Sequence, residues 1–167
     1  MGLGYTIKCT ECDYDFMVFI GHGMDGCDFL EIEERTGKPA FQRYSIDEQI
    51  KKDVEGLLEK YGDTLIEERD GTPEWNGHGK FLFHCAECNK LYNKFHFKLV
   101  YPEGEYKPRY LCSCGGDLVR VRPIISNAAE NSRELLFYGD DGSSLKALCP
   151  QCERGILTKA GSEMHFD

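Results

Sequence analysis

The chain lacks any long hydrophobic run. No apolar stretch approaches the ~20 residues that a membrane-crossing helix requires, so no membrane segment is expected. The first residues also lack the basic, apolar and small-residue succession of a secretory signal. The expectation is a chain in a reducing compartment, the cytoplasm, where persistent disulfides are rare. Positive charge is short: 20 Lys and Arg stand against 29 Asp and Glu, a formal net charge of −9. That deficit opposes tight binding to phosphate backbones. There is no low-complexity tract and no internal repeat beyond short cysteine turns. With 41% hydrophobic and 12% aromatic residues, the composition is neither disordered nor fibrous. A length of 167 residues suits a single compact unit spanning 1–167.

Cysteine is what the chain has in excess. Of nine cysteines, eight fall into four close pairs: Cys9/Cys12, Cys85/Cys88, Cys112/Cys114 and Cys149/Cys152, with Cys27 alone. The odd count disfavours a disulfide scaffold. Close cysteine pairs in a reducing setting read as metal ligands. Zinc takes four thiolates in a tetrahedron at ~2.3 Å, and one tight turn with two thiolates supplies half of it. Four turns make two complete sites, so two Zn²⁺ per chain are expected. Iron in a tetrathiolate site, or a redox-active Cys-x-x-Cys, is the remaining reading.

Counting does not say which turns share a metal. Between Cys88 and Cys112 lie a strand-like stretch Lys90–Tyr101, a turn at Pro102–Glu105 and a second strand-like stretch Tyr106–Leu111. This is the layout of a zinc ribbon, which would place Cys85, Cys88, Cys112 and Cys114 in one site. Cys9, Cys12, Cys149 and Cys152 would then form the other. A central ribbon at 80–125 would nest within an outer ribbon made by 1–26 and 144–167. The rival joins Cys112/Cys114 to Cys149/Cys152 and Cys9/Cys12 to Cys85/Cys88. The residue after the second Cys of such a turn often takes a positive φ, which suits Gly. Gly115 fits, Asp13 and Asn89 tolerate the position, and Glu153 fits poorly, with Gly155 two residues late. The site holding Cys149 and Cys152 is therefore expected to be the weaker.

Tyr5–Cys9 and Tyr14–Ile20 read as a hairpin. Phe29–Arg35 is ambiguous and leans helical. The clearest helix spans 45–62: Ser45 and Glu48 make a capping box, Ile46, Ile50, Val54, Leu57 and Leu58 recur at helical spacing, and Gly62 is the stop. Its apolar face would cover the ribbon strands. Asp70–Gly79 reads as a connector, Leu118–Val121 as a strand and Ser126–Arg133 as a polar loop or short helix. Leu145–Leu148 and Ile156–Lys159 frame the last turn. The fold class expected is mainly β (α+β), with two zinc-ribbon-like four-cysteine sites and one principal amphipathic helix.

Closed four-cysteine sites leave zinc no open position, which argues for a structural, non-enzymatic protein whose surface binds a protein partner. Charge is uneven, however. Residues 1–79 carry −10, residues 80–125 carry +4 and residues 126–167 carry −3. The central segment interleaves basic and aromatic residues, so a nucleic-acid-binding ribbon using Lys94, Lys98 and Arg109 is the alternative. Phe95 and Phe97 alternate with Lys94, His96 and Lys98, giving one apolar and one basic face. His84 and His22 are candidate replacement ligands. Gly21–Gly26 matches the dinucleotide fingerprint G-x-G-x-x-G, which requires a parallel sheet that metal-binding hairpins do not provide.

The opening GYTIKCTECDY from Gly4, the turns Cys85-Ala86-Glu87-Cys88 and Cys112-Ser113-Cys114-Gly115-Gly116, and the closing Leu148-Cys149-Pro150-Gln151-Cys152 resemble a family of small bacterial double zinc-ribbon proteins. The ending Phe166-Asp167 is similar as well. That family has no assigned activity, so the resemblance implies a fold and a metal and leaves the function open. Cys112-x-Cys114 and the missing glycines after Cys12, Cys88 and Cys152 depart from its pattern.

Overall fold

A computed structural model describes residues 2–21, 28–68, 77–125, 134–140 and 142–166. Cys27, the 22–26 loop, most of the 70–79 connector and the 126–133 stretch lie outside the described residues. The protein is mainly β-strand with one principal helix. Strands β1 (Gly2–Cys9) and β2 (Asp15–Ile20) form the first hairpin. They are followed by α1 (Glu48–Tyr61), β3 (Ile66–Glu67), β4 (Gly79–Cys85) and β5 (Leu91–His96). Next come β6 (Leu99–Tyr101), β7 (Gly104–Tyr106), β8 (Leu118–Ile125), β9 (Leu135–Gly139), β10 (Ser144–Lys146) and β11 (Leu157–Phe166).

Among the described residues, three antiparallel sheets form, with orders β11-β1-β2, β10-β9-β8-β4-β5 and β3-β6-β7. The last strand runs along the first, from Gly2 opposite Phe166 to Cys9 opposite Leu157. Two devices stitch the first sheet to the second. Gly21 and Lys80 exchange backbone hydrogen bonds of 2.8 and 2.9 Å. The Asn93 side chain accepts from the Phe19 amide at 3.0 Å and donates to the Met17 carbonyl at 2.7 Å, satisfying the open edge of β2.

Strand β4 separates two apolar cores. Its side chains alternate between faces, as strand geometry demands. Phe81, Phe83 and Cys85 enter a core shared with α1, Phe29, Phe95, Phe97 and Leu99. Leu82 enters a second core with Ile7, Val18, Phe137 and Leu157. The helix buries Ile50 and Val54 against the first core, so it covers the ribbon strands. Within that core Phe29 stacks on Phe97 at 4.3 Å between ring centroids. One polar island is buried there. His78 bonds the Glu67 carboxylate at 2.6 Å and the Tyr44 hydroxyl at 3.2 Å, and Glu67 also accepts from the Phe29 amide at 3.1 Å. Each buried polar group there therefore has a partner.

Several elements differ from the sequence reading. The helix begins at Glu48, and its cap is Asp47, whose carboxylate accepts from the Gln49 amide at 2.8 Å. Ser45 lies exposed two residues before that cap, in the link that follows a short 3-10 helix at Ala40–Arg43. Gly62 does end the helix, with φ 49° and its amide on the Leu58 carbonyl. Phe29–Arg35 is neither helix nor strand. The Glu33 amide bonds the Lys38 carbonyl at 3.0 Å and Gly37 takes φ 65°, which folds the segment into a turn. The stretch 90–101 is two strands in different sheets, because the chain changes sheet where Phe97 plunges into the first core. Strand β7 stops at Tyr106, two residues before Pro108, which has no amide to extend a ladder. Strands β9 and β10 form an additional hairpin, so 144–146 pair with β9, while the next residues do frame the last cysteine turn: Leu148 bridges Ile156 and the Leu157 amide bonds the Ala147 carbonyl at 2.8 Å.

Replacing Asp47 by Ala is expected to cost about 0.5–2 kcal/mol in urea unfolding, while Ser45→Ala changes little. Equal losses in the two variants would restore Ser45 as the cap.

Candidate metal centres

Each cysteine turn is a tight knuckle at the end of a strand. Cys9 closes β1, Cys85 closes β4, and Cys149 precedes β11 by one turn. The knuckles close on themselves through backbone hydrogen bonds. Cys9 N–H bonds the Tyr14 carbonyl at 3.0 Å, Cys85 that of Lys90 at 3.0 Å, Cys112 that of Gly116 at 2.8 Å and Cys149 that of Gly155 at 2.9 Å. The first and last knuckles dock on each other, with Thr10 N–H on the Ile156 carbonyl at 3.1 Å and Ile156 N–H on the Thr10 hydroxyl at 3.2 Å.

The structure brings together Cys9, Cys12, Cys149 and Cys152 in one group and Cys85, Cys88, Cys112 and Cys114 in another, the four sulfurs of each lying within 4.8 Å of one another. The rival pairing of turns is not the one formed. Cys9 and Cys152 sulfurs are 3.7 Å apart, Cys12 and Cys149 3.7 Å, Cys85 and Cys114 3.5 Å, and Cys88 and Cys112 3.4 Å. A tetrahedron with Zn–S of ~2.3 Å has an edge of ~3.8 Å, whereas a disulfide spans ~2.05 Å. The clusters therefore have the size of a tetrathiolate metal site, and all eight thiols are free.

The electrostatics set the sulfurs of each cluster against one another. In the outer cluster the Arg154 and Gly155 amides hold the Cys152 thiol down at about 6. The Tyr14 amide pulls Cys12 the same way, but burial and the sulfurs of Cys149, Cys9 and Cys152 outweigh it and push it up to about 12. The inner cluster repeats this. The Cys114 amide and the Tyr92 hydroxyl hold Cys112 down at about 5. Against the Lys90 amide, burial and the sulfurs of Cys112, Cys114 and Cys85 push Cys88 up to about 12. Burial raises Cys85 and Cys149 as well. Four sulfurs this close cannot all ionise unaided, and a divalent soft cation removes that conflict. The donor set, all thiolate with backbone amides behind it, suits zinc or iron and not a hard cation.

Two glycines complete the sites for a reason that spacing does not reveal. A Cβ on Gly155 would lie 2.3 Å from the Cys9 sulfur, and one on Gly116 would lie 3.2 Å from the Cys85 sulfur and 2.8 Å from Glu87. Gly155 is thus not a displaced turn glycine. It is the residue that lets the facing knuckle approach. Positive φ falls on Asn89 (57°), Glu153 (58°) and Gly115 (92°), and not on Asp13. Tyr92, unremarked in the sequence, places its hydroxyl 3.3 Å from the Cys112 sulfur. Its aromatic–polar dual character, three residues past a knuckle, was the only signal.

His84 adjoins the inner cluster but is not in it. Its ring is buried against Phe137 at 5.4 Å, and burial pushes its pKa down. His22 lies outside the described residues. The candidate nucleic-acid residues are engaged. Arg109 makes a two-pronged bond to Asp117 at 2.9 Å, and Lys98 pairs with Glu68 and Glu105. Lys94 sits over the rings of Tyr110 and Tyr92 at 5.3 and 5.8 Å. The supposed basic face is not a solvated one, because His96 is buried between strands.

No family model, no curated protein and no solved structure matches the chain. What stands of the likeness to zinc-ribbon proteins is the pair of four-cysteine clusters. Among the described residues no helix is long and apolar enough to cross a membrane.

Gly155→Ala should remove one metal equivalent per chain and leave the inner site loaded, as read by elemental analysis. Retention of both equivalents would show that the approach of Gly155 is dispensable. Glu153→Gly should stabilise the protein by about 1 kcal/mol in denaturant melts, by relieving a left-handed non-glycine residue. An unchanged midpoint would mean that the strain is absent.

Proposed function

We propose that this is a zinc-dependent structural protein that binds two Zn²⁺ in closed four-cysteine sites and works through contacts with a protein partner, without catalysis. The observation that carries this reading is the tetrahedral size of both sulfur clusters together with their all-thiolate donor sets. Such sites have no position for substrate or activated water, so the metal serves the fold. Each site sits at the margin of one apolar core, Cys85 and Cys112 in the first and Cys149 in the second. Metal binding is therefore folding energy for both halves. Contact surface is available: Leu111 is 64% exposed beside Cys112, and Ile66 is 62% exposed on β3.

Native mass spectrometry of protein purified without added metal should show two zinc ions per chain. Cys85→Ser should show one, with loss of the cooperative melt of the central ribbon. Iron in place of zinc would colour the protein and return thiol–iron chemistry to the front. Zinc loading with unchanged stability in Cys85→Ser would refute the structural role. For the partner, Leu111→Lys should abolish a discrete in-cell crosslinked adduct while keeping both zinc ions. A retarded band with single-stranded RNA that weakens in Lys94→Gln would replace the protein partner by nucleic acid.

A further inference from the structure

Away from both cysteine clusters, a cavity of about 180 Å³ opens between the end of β5, the residue after β7 and the middle of β8. Its charged and titratable lining consists of Glu68, His96, Lys98, Lys107, Arg120 and Asp140. The carboxylates are already committed. Asp140 receives Arg120 through Nε and Nη2 at 2.9 to 3.0 Å. Glu68 pairs with Lys98, and Glu105 at the rim bridges Lys98 at 2.9 Å and Lys107 at 3.0 Å. The hydrogen-bond donors are not exhausted. Among the described residues Arg120 Nη1 donates to nothing, although the side chain is only 14% exposed. Each ammonium carries three donors.

His96 lines the cavity too. It is 7% exposed, and its Nδ1 is sealed from solvent with no hydrogen-bond partner. With Nδ1 sealed away from any acceptor, Nε2 is the nitrogen left to serve the cavity that the ring lines, and a proton there makes it a donor. Phe81 holds both reading groups in place, with the His96 ring edge-on at 5.6 Å and the Arg120 guanidinium over its face at 5.1 Å. Burial and the charges of Arg120 and Lys107, opposed by Asp140, hold His96 neutral down to about 3. The imidazole therefore binds as a neutral N–H.

We propose that this cavity is a binding site for a small oxyanion of the phosphate class, held by His96 Nε2–H, Arg120 Nη1 and the ammonium groups of Lys98 and Lys107. The unspent donors converge from three cationic side chains and one imidazole, which suits an anion. The volume falls below the ~300–1,000 Å³ of sites for drug-sized ligands, so the ligand is an ion and not a nucleotide. Glu68, Glu105 and Asp140 at the walls repel an extended polyanion while orienting the cations for a compact one.

The test is titration of inorganic phosphate into the full metal-loaded chain at constant ionic strength, followed by ¹⁵N chemical shifts of labelled histidine. A saturable shift confined to His96 is expected. Arg120→Lys, which keeps the charge but loses the free Nη1, should weaken phosphate at least tenfold. Lys107→Gln, at a half-exposed position that folding tolerates, should weaken it several-fold with unchanged metal content. No saturable shift would overturn the proposal. So would equal affinity in Lys107→Gln, or a His96 response to a single-stranded oligonucleotide and none to phosphate.

Discussion

Four sulfurs packed within bonding reach of a single point cannot all carry charge together, so some of the thiols are held protonated or a cation is bound among them. The rest of the structure is arranged around that conflict. Backbone amides at the knuckles draw Cys112 and Cys152 toward the thiolate, while burial and the neighbouring sulfurs drive Cys88 and Cys12 the other way. A dication bound there would turn the opposition into attraction, and under the proposed function its binding energy is the free energy that holds four strand ends together. The closed knuckles leave the sulfurs little freedom to separate, so the clusters act as pre-shaped receptors.

The need for two such centres follows from how β4 divides the interior. A strand buried on both faces splits the apolar residues into two modest cores in place of one large one. Small cores fall short of what conformational entropy demands, and metal at the two clusters is what the proposed function adds to each. The first core adds an aromatic cluster around Phe29 and the buried Tyr44–His78–Glu67 island, and the second has the strand pair joining the chain ends. Asn93 and the Gly21–Lys80 pair then tie the two halves into one framework.

Cysteine spacing made the metal chemistry legible, because two thiolates on one turn have few other uses. The helix was legible in its periodicity and its glycine stop. Its start was not, since Ser45 and Asp47 are both good cap residues and local pattern does not say which of them the chain enters the helix on; the Asp47 carboxylate takes the Gln49 amide. The 90–101 stretch reads as one strand because alternation is blind to a change of sheet at Phe97. Gly155 looked misplaced because its constraint is a neighbour 146 positions back in the chain, the Cys9 sulfur. His96 looked exposed for the same kind of reason: Arg120 and Phe81, which pack around it, are brought there by strands β8 and β4 of the same sheet, far from it in sequence.

The pairing of β1 with β11 sets an order of events during synthesis. Chains emerge from the ribosome N-terminus first. The inner cluster has all its ligands once residue 114 is out, so it can take up metal while translation continues. Cys9 and Cys12 emerge before the inner cluster and wait for Cys149 and Cys152, which follow it. Until then the apolar face of the first hairpin, Tyr5, Ile7 and Val18, has no β11 to shield it. The newborn chain therefore carries a half-built sheet, sticky on one face, until the partner strand arrives to close it.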